Sequence, residues 1–258
     1  MTNMDEIKKI IETSGNNFHC KVLNHLKSLG WHVLVSPYYT DNISDKPREI
    51  DLIAEKAFEY GDSYSGHKGT VNAKLFIECK FIPQKNVFWF HDKDMQKASE
   101  LVVKNTPLRD NNIYKDKHHY LSSSNRVAKL FASESKRAAE NEIIYKALNQ
   151  SLNAMVYNRW DHTILPTKKG KPHRNITSIE YPVIVCNSFN DFYSVDIDSD
   201  REPEVINDNF LLEVNYAYID TNKSHRNRYF LIDIVSFNKL TSFLKVIESD
   251  INAIKNIL

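Results

Sequence analysis

A mixed α/β fold follows from three observations on the sequence. Stretches of alternating apolar residues and stretches of helical periodicity are intermixed along all 258 residues. Apolar residues make up 41% of the chain, enough for a sizeable core. No internal repeat and no low-complexity run interrupts them. The expectation is a single domain with a core over about 14–103, an inserted helical section over about 126–160, and C-terminal strands and a helix over about 180–258.

Element by element, "DEIKKIIETSG" forms a short amphipathic helix ended by Gly15. "NNFHCKVLNHLKSLGW" places Phe18, Val22, Leu23, Leu26 and Leu29 at helical spacing and stops at Gly30. Trp31 to Val35 reads as a strand, "TDNISDKP" as a loop and "REIDLIAEK" as a second strand. Glu59 to Asn72 is crowded with Gly, Ser, Asp and Asn and reads as a long connection. "LFIECKF", Leu75 to Phe81, is the next strand. A helix follows in which Met95, Ala98, Leu101 and Val102 share a face, with Asp92 or Asp94 as its cap. About Lys104 to Ser124 is polar and loop-rich, and the Ala-, Glu-, Lys- and Leu-rich run from Arg126 to Asn158 predicts a long helix with one break near Ser133. "YPVIVCNS" reads as a strand buried on both faces. "FYSVDIDSDREPEVIND" starts as a strand and becomes an acidic loop, and "NFLLEVNYAYI" and "RYFLIDIVSF" are strands. The closing helix carries Leu240, Phe243, Leu244, Ile247, Ile251 and Ile254 on one stripe.

Composition narrows the function classes. A formal net charge of +1 marks neither a strongly basic nor a strongly acidic chain. Cys20, Cys79 and Cys186 are far apart, so disulfides and a structural zinc site are not expected. The first residues are charged rather than signal-like, and no apolar run reaches the roughly 18 residues of a membrane helix. A cytoplasmic, reducing setting is the expectation.

The chemistry concentrates around Leu75–Phe81. In a strand, Leu75, Ile77, Cys79 and Phe81 point one way, while Phe76, Glu78 and Lys80 point the other. In "REIDLI", Glu49 and Asp51 share a face opposite Ile50 and Leu52. Pairing of these strands brings Asp51, Glu78 and Lys80 to one sheet edge. Two carboxylates in close proximity repel unless a cation lies between them. Hard oxygen ligands suit Mg²⁺, with Mn²⁺ as a substitute, and the backbone carbonyl of Cys79 is a further ligand candidate. An ammonium beside such a centre positions an attacking water and stabilises charge on a phosphodiester in transition. The Cys79 thiol points to the core and reads as packing. The competing structural reading is a cross-strand ion pair worth about 0.2–1 kcal/mol, which leaves Asp51 unexplained. With the site facing a cleft, Lys80→Ala is expected to leave folding nearly intact.

Asp51, Glu78 and Lys80, with 26 residues between the first two, resemble the motif of the PD-(D/E)XK nuclease superfamily. "GNNFHCKVLNHLKSLGWHV" is similar to the first helix and strand of its Mrr-like and Holliday-junction-resolvase-like branch. Together these cover Gly15 to Phe81. Ile50 stands where the motif has proline, and His19 stands where many members of the branch carry a metal-holding glutamate. The resemblance implies a restriction-endonuclease-like mixed sheet flanked by helices. It also implies Mg²⁺-dependent cleavage of double-stranded DNA to a 5′-phosphate and a 3′-hydroxyl, a role in restriction or antiviral defence, and action as a homodimer or within a larger complex. A junction or repair nuclease, and a silent subunit that binds nucleic acid or protein, are the alternatives.

Auxiliary candidates are His19, Glu49 and Gln96, the last on the helix after the lysine strand with Glu100 one turn on. Arg159, Lys168, Lys169, Lys171 and Arg174 are candidates for phosphate contact, with a solvated basic loop as the equal alternative. His118 and His119 are adjacent, so in a strand they face opposite ways and do not share a metal. The acidic run Asp196, Asp198, Asp200, Glu202 and Glu204 lacks the glycine and final glutamate of an EF-hand and reads as a solvated loop.

Overall fold

A computed structural model describes residues 3–41, 46–61, 68–109, 113–134, 143–158, 175–199, 201–220 and 223–258. Helices α1 (Asn3–Thr13) and α2 (Gly15–Ser28) lead into strand β1 (His32–Val35) and the hairpin strands β2 (Tyr38–Asp41) and β3 (Lys46–Glu49). Strands β4 (Leu52–Gly61), β5 (Lys68–Lys80) and β6 (Asn86–Asp92) follow, then helices α3 (Met95–Asn105) and α4 (His119–Ser122), strand β7 (Arg126–Ser133) and helix α5 (Ile143–Tyr157). The remainder is β8 (Asn175–Cys186), β9 (Phe192–Asp196), β10 (Glu204–Val205), β11 (Phe210–Ile219), β12 (His225–Ser236) and helix α6 (Leu240–Lys255).

Among the described residues, ten strands form one mixed sheet in the order β1-β4-β5-β8-β12-β11-β7-β6-β9-β10. β5 is interior: it runs antiparallel to β4 and parallel to β8. A parallel neighbour requires a crossover, and α5 supplies one, packing on both β5 and β8. Its Ser151 hydroxyl donates to the Phe76 carbonyl at 2.9 Å. α2 lies against β1 and β5, and α6 against β5 and β12. The six apolar residues expected on the α6 stripe are all buried, as is every residue from Tyr181 to Cys186. In α3, Asp94 provides the cap by accepting from the Lys97 amide at 3.0 Å, and Met95 faces solvent. No described helix is long and apolar enough to cross a membrane.

Three expectations are corrected. Arg126–Ser133 is a strand, not the first half of a long helix; among the described residues of that section only Ile143–Tyr157 is helical. Its Ala, Lys and Leu content favours helix, but pairing with β6 on one side and β11 on the other overrides that propensity. The connection expected over Glu59–Asn72 is much shorter, because β4 and β5 remain paired out to Gly61↔Lys68. The stretch expected to be a loop after Tyr39 contains the β2–β3 pairing.

A buried ionic cluster ties the short α4 to the sheet and to the C-terminal helix. His119 on α4 contacts Asp250 on α6 through Nδ1 and Asp233 on β12 through Nε2, the latter at 3.2 Å. The His119 amide also donates to Asp250 at 2.9 Å, and the hydroxyls of Tyr120 and Tyr181 each donate to one of these carboxylates at 3.4 Å. His118 and His119 therefore do not diverge as in a strand; at the start of a helix their rings stack with centroids 5.1 Å apart. Burial by itself disfavours a charged His119, but the two aspartates outweigh it and push its pKa up to about 10. His118 has no such pair of anions, and burial pushes it down to about 4.

His119 is thus an imidazolium bound between two carboxylates. Its folded pKa lies above its unfolded value, so its contribution is complete below about pH 6.5 and fades as pH rises toward 10. His119→Ala removes the central charge and is expected to cost about 3–5 kcal/mol near neutral pH. Urea unfolding of both proteins across pH 6–10 checks this: the gap between them narrows with rising pH, and a constant gap contradicts the charged state.

Candidate active site

Asp51 lies where the chain leaves β3 for β4. The last ladder pair there is Leu52↔Ile77. One residue earlier the backbone turns toward the β1–β2 corner, with the Ser36 amide donating to the Asp51 carbonyl at 2.9 Å and the Ile50 amide to Pro37 at 3.2 Å. Ile50 and Leu52 are both fully buried, as their alternation with Asp51 requires. The turn leaves the Asp51 amide free of the ladder, and it donates to Glu78 Oε1 at 3.3 Å. In return, the Asp51 carboxylate accepts from the Cys79 amide at 2.8 Å. This reciprocal pair of bonds sets Asp51 against the end of β5.

Glu78 and Lys80 share a face of β5, as the strand period demands. Lys80 Nζ donates to Glu78 Oε2 at 2.5 Å and lies 3.5 Å from Asp51 Oδ2. The Glu78 side chain is fully buried, while those of Asp51 and Lys80 are 25% and 18% exposed. Burial pushes Glu78 up to about 8, with the Asp51 charge adding to the effect and Lys80 opposing it. Burial pulls Lys80 down, but Glu78 and Asp51 overcome it and hold the ammonium above its usual value. The arrangement is two carboxylates facing one cation, with one carboxylate dry and the other reaching solvent. Lys80 is therefore placed as the counterion of Glu78, and a stability cost on its removal is the expectation from this geometry.

Asp51 and Lys80 open into a cleft of about 730 Å³, shared with Gly15, Asn16 and His19 at the start of α2, Gln84 after β5, and Glu134 after β7. His19 is thus brought to the site, and its Nε2 is buried without a hydrogen-bond partner. Glu49 lies beside it but is occupied elsewhere: hydroxyls of Ser36 and Tyr38 hold its carboxyl below the usual range, with His19 as a minor contributor. Gln96 is not at the site. It is exposed and donates to Glu100 at 3.1 Å, because the chain after β5 crosses to the far half of the sheet and α3 packs on β12. α5 packs on the motif strand instead, and its Gln150 donates to the Glu49 carbonyl at 3.4 Å. Gln84 is four residues beyond Lys80 and was open to discovery as a polar residue in the turn after the motif. Glu134 had no sequence signal, since only the β6–β7 pairing carries it back. The Cys79 thiol is buried, and burial raises its pKa well, consistent with packing. Arg159, Lys168, Lys169, Lys171 and Arg174 lie outside the described residues. Of the acidic run, Asp196 pairs with Arg126 at 2.6 Å and Asp198 lies 3.3 Å from a ring nitrogen of His91 and 4.0 Å from Arg126; Asp200 lies outside the described residues.

The donor set fits a hard divalent cation. Carboxylate oxygens of Asp51 and Glu78 already face a positive charge, and His19, whose buried Nε2 has no partner, lines the same cleft. The other group of metal-type side chains, His118, His119 and Asp250, fits protons better. The Tyr120 amide donates to His118 Nδ1 at 3.2 Å, which leaves the His118 proton on Nε2, facing Asp250 at 3.5 Å. Both ring nitrogens of His119 face carboxylates, so both are donors. Comparison with family models, with curated proteins and with solved structures finds no match.

Lys80→Ala removes a charge-assisted bond from a dry carboxyl and is expected to destabilise the fold by about 1–3 kcal/mol. Because the folded pKa of Glu78 is raised, its favourable contribution belongs to the protonated form and is lost as pH rises from about 4.5 through 8. The destabilisation in the variant accordingly deepens between pH 7 and 9, and Glu78→Gln in the same chain recovers most of it. Denaturant melts of the single and double variants at both pH values test the pairing.

Proposed function

We propose that this protein is a divalent-metal-dependent endonuclease that hydrolyses DNA phosphodiester bonds, built on a restriction-endonuclease-like core. The observation that carries the reading is the convergence of Asp51, Glu78 and Lys80 through the Asp51–Cys79 and Asp51–Glu78 hydrogen bonds, with Asp51 and Lys80 lining one cleft and Glu78 buried behind them. An ion pair formed only for stability has no need of the third member, nor of a carboxylate turned out of its own ladder. The mixed sheet with flanking helices, and the position of α2 against β1 and β5, agree with the fold that the motif implies.

Asp51, Glu78 and the Cys79 carbonyl would hold Mg²⁺, with His19 as an added donor from α2. Bound there, the ion would polarise a phosphoryl oxygen and ease deprotonation of water. Asp51 reaches solvent and presents an oxygen to the cleft, while Glu78 supplies a second from the dry side. Lys80 has two roles. Without substrate it neutralises the paired carboxylates; with substrate its ammonium is placed to orient a water and to stabilise negative charge on the phosphate. The Cys79 amide keeps the Asp51 carboxylate aimed. Double-stranded DNA, a homodimer or a larger assembly, and a role in restriction or antiviral defence extend the proposal by resemblance.

Purified protein incubated with linear, nicked, branched and single-stranded DNA tests it. Cleavage is expected with Mg²⁺ or Mn²⁺, none with EDTA, and a loss of several orders of magnitude in Asp51→Ala. Cutting that survives Asp51→Ala removes the site assignment. Absence of cutting, together with no metal-induced rise in thermal stability, favours the silent-subunit reading.

A further inference from the structure

A second cavity, of about 860 Å³, shares no lining residue with the cleft at Asp51. Its size falls in the range of about 300–1,000 Å³ common for small-molecule sites. Phe90, Phe210 and Phe243 form aromatic walls, the first two with centroids 5.5 Å apart. Asp233 of β12 also lines it, although only 5% exposed.

Asp233 faces the His119 imidazolium, but part of its acceptor capacity is left open. Its side-chain hydrogen bonds come from His119 at 3.2 and 3.4 Å and from Tyr120 at 3.4 Å, all at the long end of the normal range. A carboxylate offers about four acceptor positions, and a buried one is costly unless they are filled. Ser123 Oγ, on the same cavity wall, is buried with no partner. The rest of the charge on the lining points the same way. Arg126 is neutralised by Asp196 at 2.6 Å, and Lys239 by Asp208 at 3.0 Å. That leaves Glu202 and Glu204 against Arg201 among the described lining residues, with Asp233 sharing the His119 imidazolium with Asp250 so that this group keeps one negative charge in excess.

We propose that this cavity binds a small organic cation, a primary ammonium carried on an aromatic or branched apolar body. The ammonium fills the open positions of Asp233 with a charge-assisted bond, and the body lies against the three phenylalanine rings. Glu202 and Glu204 draw cations toward the mouth. A neutral isostere keeps the apolar contact and loses the charge, and an anion meets the acidic lining.

Calorimetric titration of the full chain at pH 7 with phenethylamine, phenethyl alcohol and 3-phenylpropionate tests the proposal. Phenethylamine is expected to bind saturably at one site per chain, the alcohol about tenfold more weakly or worse, and the carboxylate not at all. Val246→Lys places a tethered ammonium on the exposed side of α6, where Val246 is 39% exposed and lines the cavity. This variant should keep the wild-type unfolding midpoint and weaken amine binding about tenfold or more. The double variant Glu202→Gln and Glu204→Gln, confined to exposed positions, should weaken it a few-fold. Equal binding of amine and alcohol overturns the proposal. So does amine binding unchanged in Val246→Lys, or no saturation at about 10 mM amine.

Discussion

The parallel pairing of β5 with β8, from Gly69↔Asn175 to Lys80↔Cys186, is the constraint on which the candidate site depends. It makes β5 an interior strand, hydrogen-bonded on both edges and buried on both faces. A glutamate on such a strand has lost its water before any chemistry is considered. Burial raises Glu78, and a counterion must come from a position that shares its face. Two residues along the strand is the nearest such position, and Lys80 fills it. The crossover that a parallel pair requires brings α5 onto β5 beside the site. The pairing also extends β8 toward β12, so one strand interface connects the motif half of the sheet to the half that carries Asp233.

The molecule uses the same electrostatic arrangement twice, to different ends. Lys80 faces Glu78 and Asp51; His119 faces Asp250 and Asp233. A single cation between two acidic side chains relieves their repulsion. At β5 the group opens to a cleft, because Asp51 belongs to a turn rather than to a ladder and retains solvent contact. At α4 the group is closed by α6 and by two tyrosines, and its members act as a clamp between helix and sheet. Access to solvent, more than residue type, separates the two groups. Asp233 stands between these cases, since it is buried yet borders a cavity.

Much of this was legible in short segments. Alternation assigned Glu78 and Lys80 to one face and Ile50 and Leu52 to the core, and the strand from Tyr181 to Cys186 was recognisable by its unbroken apolar run. The apolar stripe on α6 was equally plain. Propensity failed at Arg126–Ser133, because helix-forming residues there are held by two neighbouring strands that are remote in sequence. Gln96 failed for a related reason: the helix following a motif strand need not return to that strand, and α3 goes to β12.

By itself the sequence determined what local periodicity can carry: an α/β class, the core-facing residues of most strands and helices, and an Asp51, Glu78 and Lys80 set whose chemistry suggested a cation site. Only tertiary structure decided that Glu78 is dry and needs Lys80, that His19, Gln84 and Glu134 meet in the cleft, and that His118 and His119 join Asp250. Each of these depends on which distant strands and helices become neighbours. Strand order and crossover set desolvation and long-range pairing, and neither is encoded in the spacing of residues along one segment.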